Sequence, residues 1–192
     1  MDEFVAKSQL SVIFLCDRLR FLSYRIRGLR DVQKVNANIR IQLDQMTQAL
    51  IKVGLGSYPN AKVADWSFVH DDPQYASILS SLEELVREDS QLGQQAHEYA
   101  TSLMNRFGAL DGQDFGERAS LQFKYVLEET VLSLIMTEIR GYNVEIYRRG
   151  MGFVDFLYSG RRGDLMRLLN KSTLDRRFVS IGSESASRTA SR

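Results

Sequence analysis

The sequence predicts an α/β fold in which a parallel sheet is flanked by helices. Three observations carry that expectation. Residues 10–16 (Leu-Ser-Val-Ile-Phe-Leu-Cys) form an apolar run of strand length, rich in β-branched and aromatic side chains and apolar on both faces. Residues 61–66 and 142–147 have strand character again further along the chain. Between and after these runs the apolar spacing lengthens to three and four, so helices separate the strands.

In chain order, Val35, Ile39, Leu43, Met46, Leu50 and Val53 recur at spacings of four, four, three, four and three. They form one stripe of a helix over residues 31–53, with Asp31 as its N-cap and Gly54, Gly56 and Pro59 as its stop. Residues 61–66 (Ala-Lys-Val-Ala-Asp-Trp) read as the second strand. Asp71-Asp72-Pro73 opens the next helix, with proline in the first turn, and that helix carries Tyr75, Ile78, Leu79, Leu82 and Leu85. A helix over 90–106 presents Ala96, Tyr99, Leu103 and Met104. A long one over 114–140 stops at Gly141. Residues 142–147 (Tyr-Asn-Val-Glu-Ile-Tyr) alternate as the third strand, and helix formers resume over 153–170. Residues 180–192 are rich in Ser, Arg and Ala without an apolar pattern, so a disordered tail is expected behind a single domain spanning 1–179.

Composition excludes several classes. The chain has 192 residues, 44% of them hydrophobic and 26% charged, the make-up of an ordinary globular domain. Cys16 is the one cysteine, so an internal disulfide is impossible. Cys16 with His70 and His97 is too thin a set for a structural zinc site, and no metal is expected. No apolar run approaches the roughly 20 residues that span a bilayer. The acidic start Met1-Asp2-Glu3-Phe4 is not a signal peptide, so a cytoplasmic setting without membrane association is expected. The net charge of +1 hides a segregation: residues 17–40 carry +5, residues 41–160 carry −8 and residues 161–192 carry +5. Two basic segments around an acidic middle suit a polyanion held at one surface, and equally a solvated basic loop and tail.

The most informative stretch is the helix over 114–140. From Val126 to Met136 only Glu128, Glu129, Thr130 and Ser133 interrupt the apolar residues, which predicts burial around most of the circumference. Carboxylates in such a helix are costly unless paired, hydrogen-bonded or protonated. Tyr125 and Glu129 stand at i and i+4, on one face, and Leu132 and Met136 continue that face as an apolar lining. A phenol beside a carboxylate can grip an ammonium and move a proton. The same spacing also fits a core tyrosine with one glutamate on a solvent stripe.

The ordered set Trp66-Ser-Phe-Val-His-Asp-Asp-Pro-Gln-Tyr75, then Tyr125-Val-Leu-Glu128-Glu129, then Gly141-Tyr-Asn-Val-Glu-Ile-Tyr147 resembles the pattern of the tRNA-dependent cyclodipeptide synthases. That pattern has a tryptophan-containing strand, a helix-opening tyrosine, a Tyr-x-x-x-Glu pair and a tyrosine ending the next strand. The resemblance covers about residues 8 to 165. It implies a Rossmann-like sheet similar to the class I aminoacyl-tRNA synthetase catalytic domain, here lacking the first strand. It also implies a monomer that uses no cofactor, because the ester of aminoacyl-tRNA already supplies the activation. By this resemblance the partner is aminoacyl-tRNA, and two of them yield a cyclic dipeptide (a diketopiperazine) through a ping-pong acyl-enzyme route.

Carried over onto this chain, Tyr125 and Glu129 anchor the aminoacyl ammonium and Glu129 takes its proton. Tyr147 relays a proton in cyclisation, Tyr75 positions substrate, and Glu128, Leu132 and Met136 line the substrate site. Arg25, Arg27, Arg30, Lys34 and Arg40 face tRNA, with Arg148, Arg149, Arg161 and Arg162 as a second contact. The family's nucleophilic serine lies in a Gly-x-Ser motif that, counted back from Tyr125, falls before Met1. Ser8 and Ser11 do not follow a glycine in that motif, so the nucleophile is unassigned. After Tyr147 come Arg148-Arg149-Gly150, which leaves the family branch open. The expectation is therefore a truncated member. The alternatives are a non-catalytic relative that binds aminoacyl-tRNA, and a helical interaction domain in which the aromatic and glutamate pattern is only core.

Overall fold

The β-branched run at the start of the chain forms strand β1 (Ser11–Phe14), which pairs in parallel with β2 (Ala61–Ala64) in the register Ser11↔Ala61 to Phe14↔Ala64. The computed structural model describes residues 11–14, 17–52, 54, 57, 59–106, 115–142, 144–147, 152–174 and 177–180. A parallel pair needs a long crossover. Here it consists of helices α1 (Asp17–Ile26) and α2 (Val32–Lys52). Asp31 caps α2 as expected, its Oδ1 accepting the Lys34 N–H at 3.0 Å. The α2 stripe buries Val35 and Ile39, while its second half lies open, with Ile41 and Ile51 exposed.

Strand β2 stops at Ala64 because Asp65 takes both the N–H and the hydroxyl of Ser67, at 3.0 and 2.6 Å. This corrects the expected strand over 61–66: Trp66 lies past the strand at the start of a short helical turn, α3 (Ser67–His70), and is buried. Asp72 and Pro73 likewise form a turn instead of the first helical residues. The Asp72 carboxylate accepts the Gln74 N–H at 3.0 Å, and α4 begins at Tyr75 (Tyr75–Glu88). Helices α5 (Ser90–Arg106) and α6 (Phe115–Leu134) follow, and α6 runs into a π-helical turn, Ile135–Ile139.

Strand β3 (Val144–Tyr147) pairs in parallel with β4 (Arg177–Ser180), across a crossover made of α7 (Gly152–Gly160) and α8 (Arg162–Leu169). The helix formers over 153–170 thus make two helices, separated where Arg161 leaves the helical region at φ −131°, ψ 31°. The predicted tail also changes: Ser180 ends β4, and residues 181–192 lie outside the described residues. Parallel pairing is as expected, but the described strands form two separate parallel pairs and not one sheet.

The core lies between helices. α6 packs on α1, α5 and α4. Leu19, Leu22 and Ile26 of α1, Ile78, Leu82 and Val86 of α4, and Leu92, Ala96 and Ala100 of α5 close around Val126, Leu127, Val131, Leu134 and Ile135. The α4–α5 corner is tight: Asp89 Oδ1 accepts the Leu92 N–H at 3.0 Å, and a Cβ on Gly93 would lie 2.7 Å from the Val86 carbonyl oxygen. Backbone cannot retreat from such a contact as a flexible side chain can. Gly93→Ala is therefore expected to lose about 1–3 kcal/mol, the usual range for overpacking. Urea denaturation checks this through a lower midpoint at unchanged slope.

Candidate active site

The second half of α6 and its π-helical extension carry three carboxylates where solvent does not reach. Glu128, Glu129 and Glu138 are 2%, 4% and 4% exposed, so neither glutamate of the central pair sits on a solvent stripe. Each of the three has been given a partner. The Tyr125 hydroxyl donates to Glu129 Oε1 at 3.4 Å, along the i, i+4 face the spacing predicts. Glu128 is held by Arg18 in a fork, Nε to Oε2 at 3.0 Å and Nη2 to Oε1 at 3.1 Å, with Lys124 Nζ at 3.8 Å. The sequence reading assigned Glu128 to substrate; in the structure its carboxylate ties α6 to the first turn of α1.

Tyr75 opens α4 beside this pair. It is buried, with its ring edge-on to Trp66 at 6.1 Å and tilted against His70 at 5.2 Å. Burial, and then the nearby charge of Glu128, push its phenol up to about 12, with Arg18 opposing. The turn before it is held from the far end of the long helix: Arg140 Nε donates to Asp72 Oδ2 at 3.1 Å, and its guanidinium lies 4.4 Å over the Phe68 ring.

Leu132 is buried and Met136 half-buried, both packed into the apolar core around α6. Tyr147 ends β3 opposite Ser180 in backbone register, and its side chain lies outside the described residues. Among the basic residues, Arg27, Arg30, Lys34 and Arg40 are exposed along the α1–α2 connection and α2. Arg25 is drawn inward, its guanidinium bonding the Arg30 carbonyl at 3.1 Å and Glu117 at 3.3 Å. Arg161 is engaged by Asp89 and Asp164, Arg162 is exposed, and Arg148, Arg149 and Ser8 lie outside the described residues. Ser11 lies in β1, with its side chain outside them too. Among the described residues no cluster of His, Cys, Asp and Glu could hold a metal ion, and no helix is long and apolar enough to cross a membrane.

Sequence reasoning missed Arg18, Gln122 and the partners of Glu138. Gln122 is 1% exposed, on the face of α6 shared with Tyr125 and Glu129, and its Oε1 has no hydrogen-bond partner among the described residues. Its signal was available, since a glutamine seven residues before Glu129 falls on the same helical face.

Two outcomes follow from this geometry. Arg18→Met leaves Glu128 buried without its fork and should destabilise by about 2–4 kcal/mol, below the fully buried range because Arg18 is a third exposed. The Arg18→Met/Glu128→Leu pair should recover most of that loss in thermal unfolding. For Tyr75, the folded state holds the phenolic proton more tightly than the unfolded chain. Stability should therefore fall as pH rises from about 10 towards 12, and Glu128→Gln should move the onset of ionisation down in an ultraviolet titration.

No family model matches the chain, and no curated protein matches it in sequence. Solved structures do. A CDPS from Fluoribacter dumoffii is similar with a TM-score of 0.72 at 14% identity, covering 93% of this chain and 79% of its own. AlbC, a cyclodipeptide synthase from Streptomyces noursei, is similar with a TM-score of 0.67 at 15% identity over 94% and 84% of the two chains. A cyclo(L-leucyl-L-phenylalanyl) synthase is similar with a TM-score of 0.67 at 17% identity over 92% and 78%. The chain shares the fold of these cyclodipeptide synthases.

Proposed function

We propose that the chain is an aminoacyltransferase of the cyclodipeptide-synthase type, which joins two aminoacyl groups delivered on tRNA into a diketopiperazine. One observation carries the reading: a half-buried tyrosine and a buried glutamate in hydrogen-bond contact, at the start of a stretch of helix buried around its circumference, in a chain that shares this fold. The aminoacyl ester is already activated, so beyond the unassigned nucleophile that takes the first acyl group as its tRNA leaves, the residues bind an ammonium, move its proton and hold the acyl carbon in place. Glu129 supplies the counter-charge and takes the proton, and Tyr125 orients the pair. A carboxylate shielded from water serves both tasks better than an exposed one, because its field is unscreened. Tyr147 relays a proton during ring closure, and Tyr75, protonated through the physiological range, positions substrate by donating a hydrogen bond. Leu132 and Met136 form the apolar lining. Arg27, Arg30, Lys34 and Arg40 contact tRNA phosphates, with Arg25 bracing the loop they stand on, so binding weakens with salt. The protein acts as a cytoplasmic monomer without a cofactor.

A second reading has its own support: none of the thirteen glycines is followed two positions later by a serine, so the Gly-x-Ser context of the nucleophile is missing from this sequence. In that reading the same site binds aminoacyl-tRNA without turnover.

Expression with radiolabelled aminoacyl-tRNAs and chromatography for cyclic dipeptides separates the two. Product, lowered roughly 10²–10⁴-fold by Glu129→Gln and about 10-fold by Tyr125→Phe, supports synthesis. Retention of aminoacyl-tRNA on a filter with no product supports the binding role. Neither product nor retention rejects the site.

A further inference from the structure

Glu138 lies outside the Tyr125–Glu129 pair, nine residues and about half a circumference further along the helix, inside the π-helical turn. Its carboxylate is buried and heavily bonded. The Tyr158 hydroxyl of α7 donates to Oε1 at 2.7 Å, and Lys171 Nζ donates to Oε2 at 3.2 Å. The same ammonium donates to the Glu138 main-chain carbonyl at 2.6 Å. That carbonyl belongs to the last turn, where helices leave acceptors unsatisfied and favour a cation. Lys171 is presented from the end of α8, immediately after Asn170, which takes the left-handed conformation at φ 51°.

Each of these two turns feeds a strand. Glu138 stands six residues before Val144, Lys171 stands six residues before Arg177, and Val144↔Arg177 is the first register pair of β3 and β4. The two leads are equal in length. We propose that the Lys171–Glu138 clamp sets the register of β3 against β4, and so fixes where Tyr147 stands at the end of β3. Two four-residue strands specify their own alignment weakly, and a slip of one residue inverts the face of every side chain. A bonded anchor the same distance upstream of both strands removes that freedom. Lys171 is thus a positioning residue; its catalytic consequence rests on the role proposed for Tyr147, while the register itself does not.

The test uses the full chain labelled for NMR. Lys171→Met takes the cation away from a buried carboxylate and lowers the unfolding midpoint, whereas Glu138→Gln/Lys171→Met removes both charges and should regain most of it. The clamp predicts that the double variant, although refolded to near wild-type stability, still loses or shifts the interstrand amide–α-proton contacts between 144–147 and 177–180. It also predicts at least 10-fold faster amide exchange there, with α4 and α6 unchanged. Cyclic dipeptide formation should fall about 10-fold in kcat at unchanged KM. Wild-type interstrand contacts and exchange in the double variant overturn the proposal. If the wild type forms no product while the strand signals change as stated, the functional reading falls and the register assignment stands.

Discussion

A stretch of helix enclosed on nearly every side cannot carry a carboxylate unless something reaches in to meet it, and the second half of α6 with its π-helical extension carries three. Each of the surrounding elements supplies one answer. α1 delivers Arg18 to Glu128, the preceding turn of α6 delivers Tyr125 to Glu129, and α7 and the end of α8 deliver Tyr158 and Lys171 to Glu138. Apolar packing alone would let these helices slide or rotate on one another at modest cost. Directional charge-assisted bonds do not, since a fork between a guanidinium and a carboxylate is satisfied in one geometry. The polar groups therefore specify the arrangement that the apolar core makes stable.

The same requirement divides the two adjacent glutamates. Glu128 and Glu129 are neighbours in sequence and equally shielded, yet Glu128 meets a full positive charge and Glu129 a neutral hydroxyl. The Arg18 fork fixes Glu128, the residue immediately before Glu129, against the first turn of α1.

What could be read from the sequence follows from how far each determinant acts along the chain. The first half of the α2 stripe (Val35 and Ile39), the Asp31 cap and the Tyr125–Glu129 contact are set by residues within a turn or two, and the structure shows each of them, while Leu43, Met46 and Leu50 are only half-buried. Helix α1 escaped notice although Leu19, Leu22 and Ile26 carry helical spacing, because its alternating arginines resemble a solvated basic stretch. The fork between Arg18 and Glu128 spans 110 residues, and the contact of Lys171 with Glu138 spans 33; local periodicity says nothing of either. The π-helical turn is hidden for a related reason. The five residues Ile135 to Ile139 have ordinary helix-forming character, and the bonds that Tyr158 and Lys171 make to Glu138 in that turn come from distant parts of the chain. Strand β4 is four residues long with arginine at its start, and its identity comes from its partner β3.

Trp66 is the chain's one tryptophan, and it lies edge-on to Tyr75 at 6.1 Å. The indole is thereby a built-in optical reporter. Its emission comes from a single place in the molecule, beside the tyrosine that opens α4. A change in the charge of the neighbouring phenol alters the surroundings of one fluorophore and no other. Ionisation of that phenol, and the opening of the core around it, can thus be followed by light without a label.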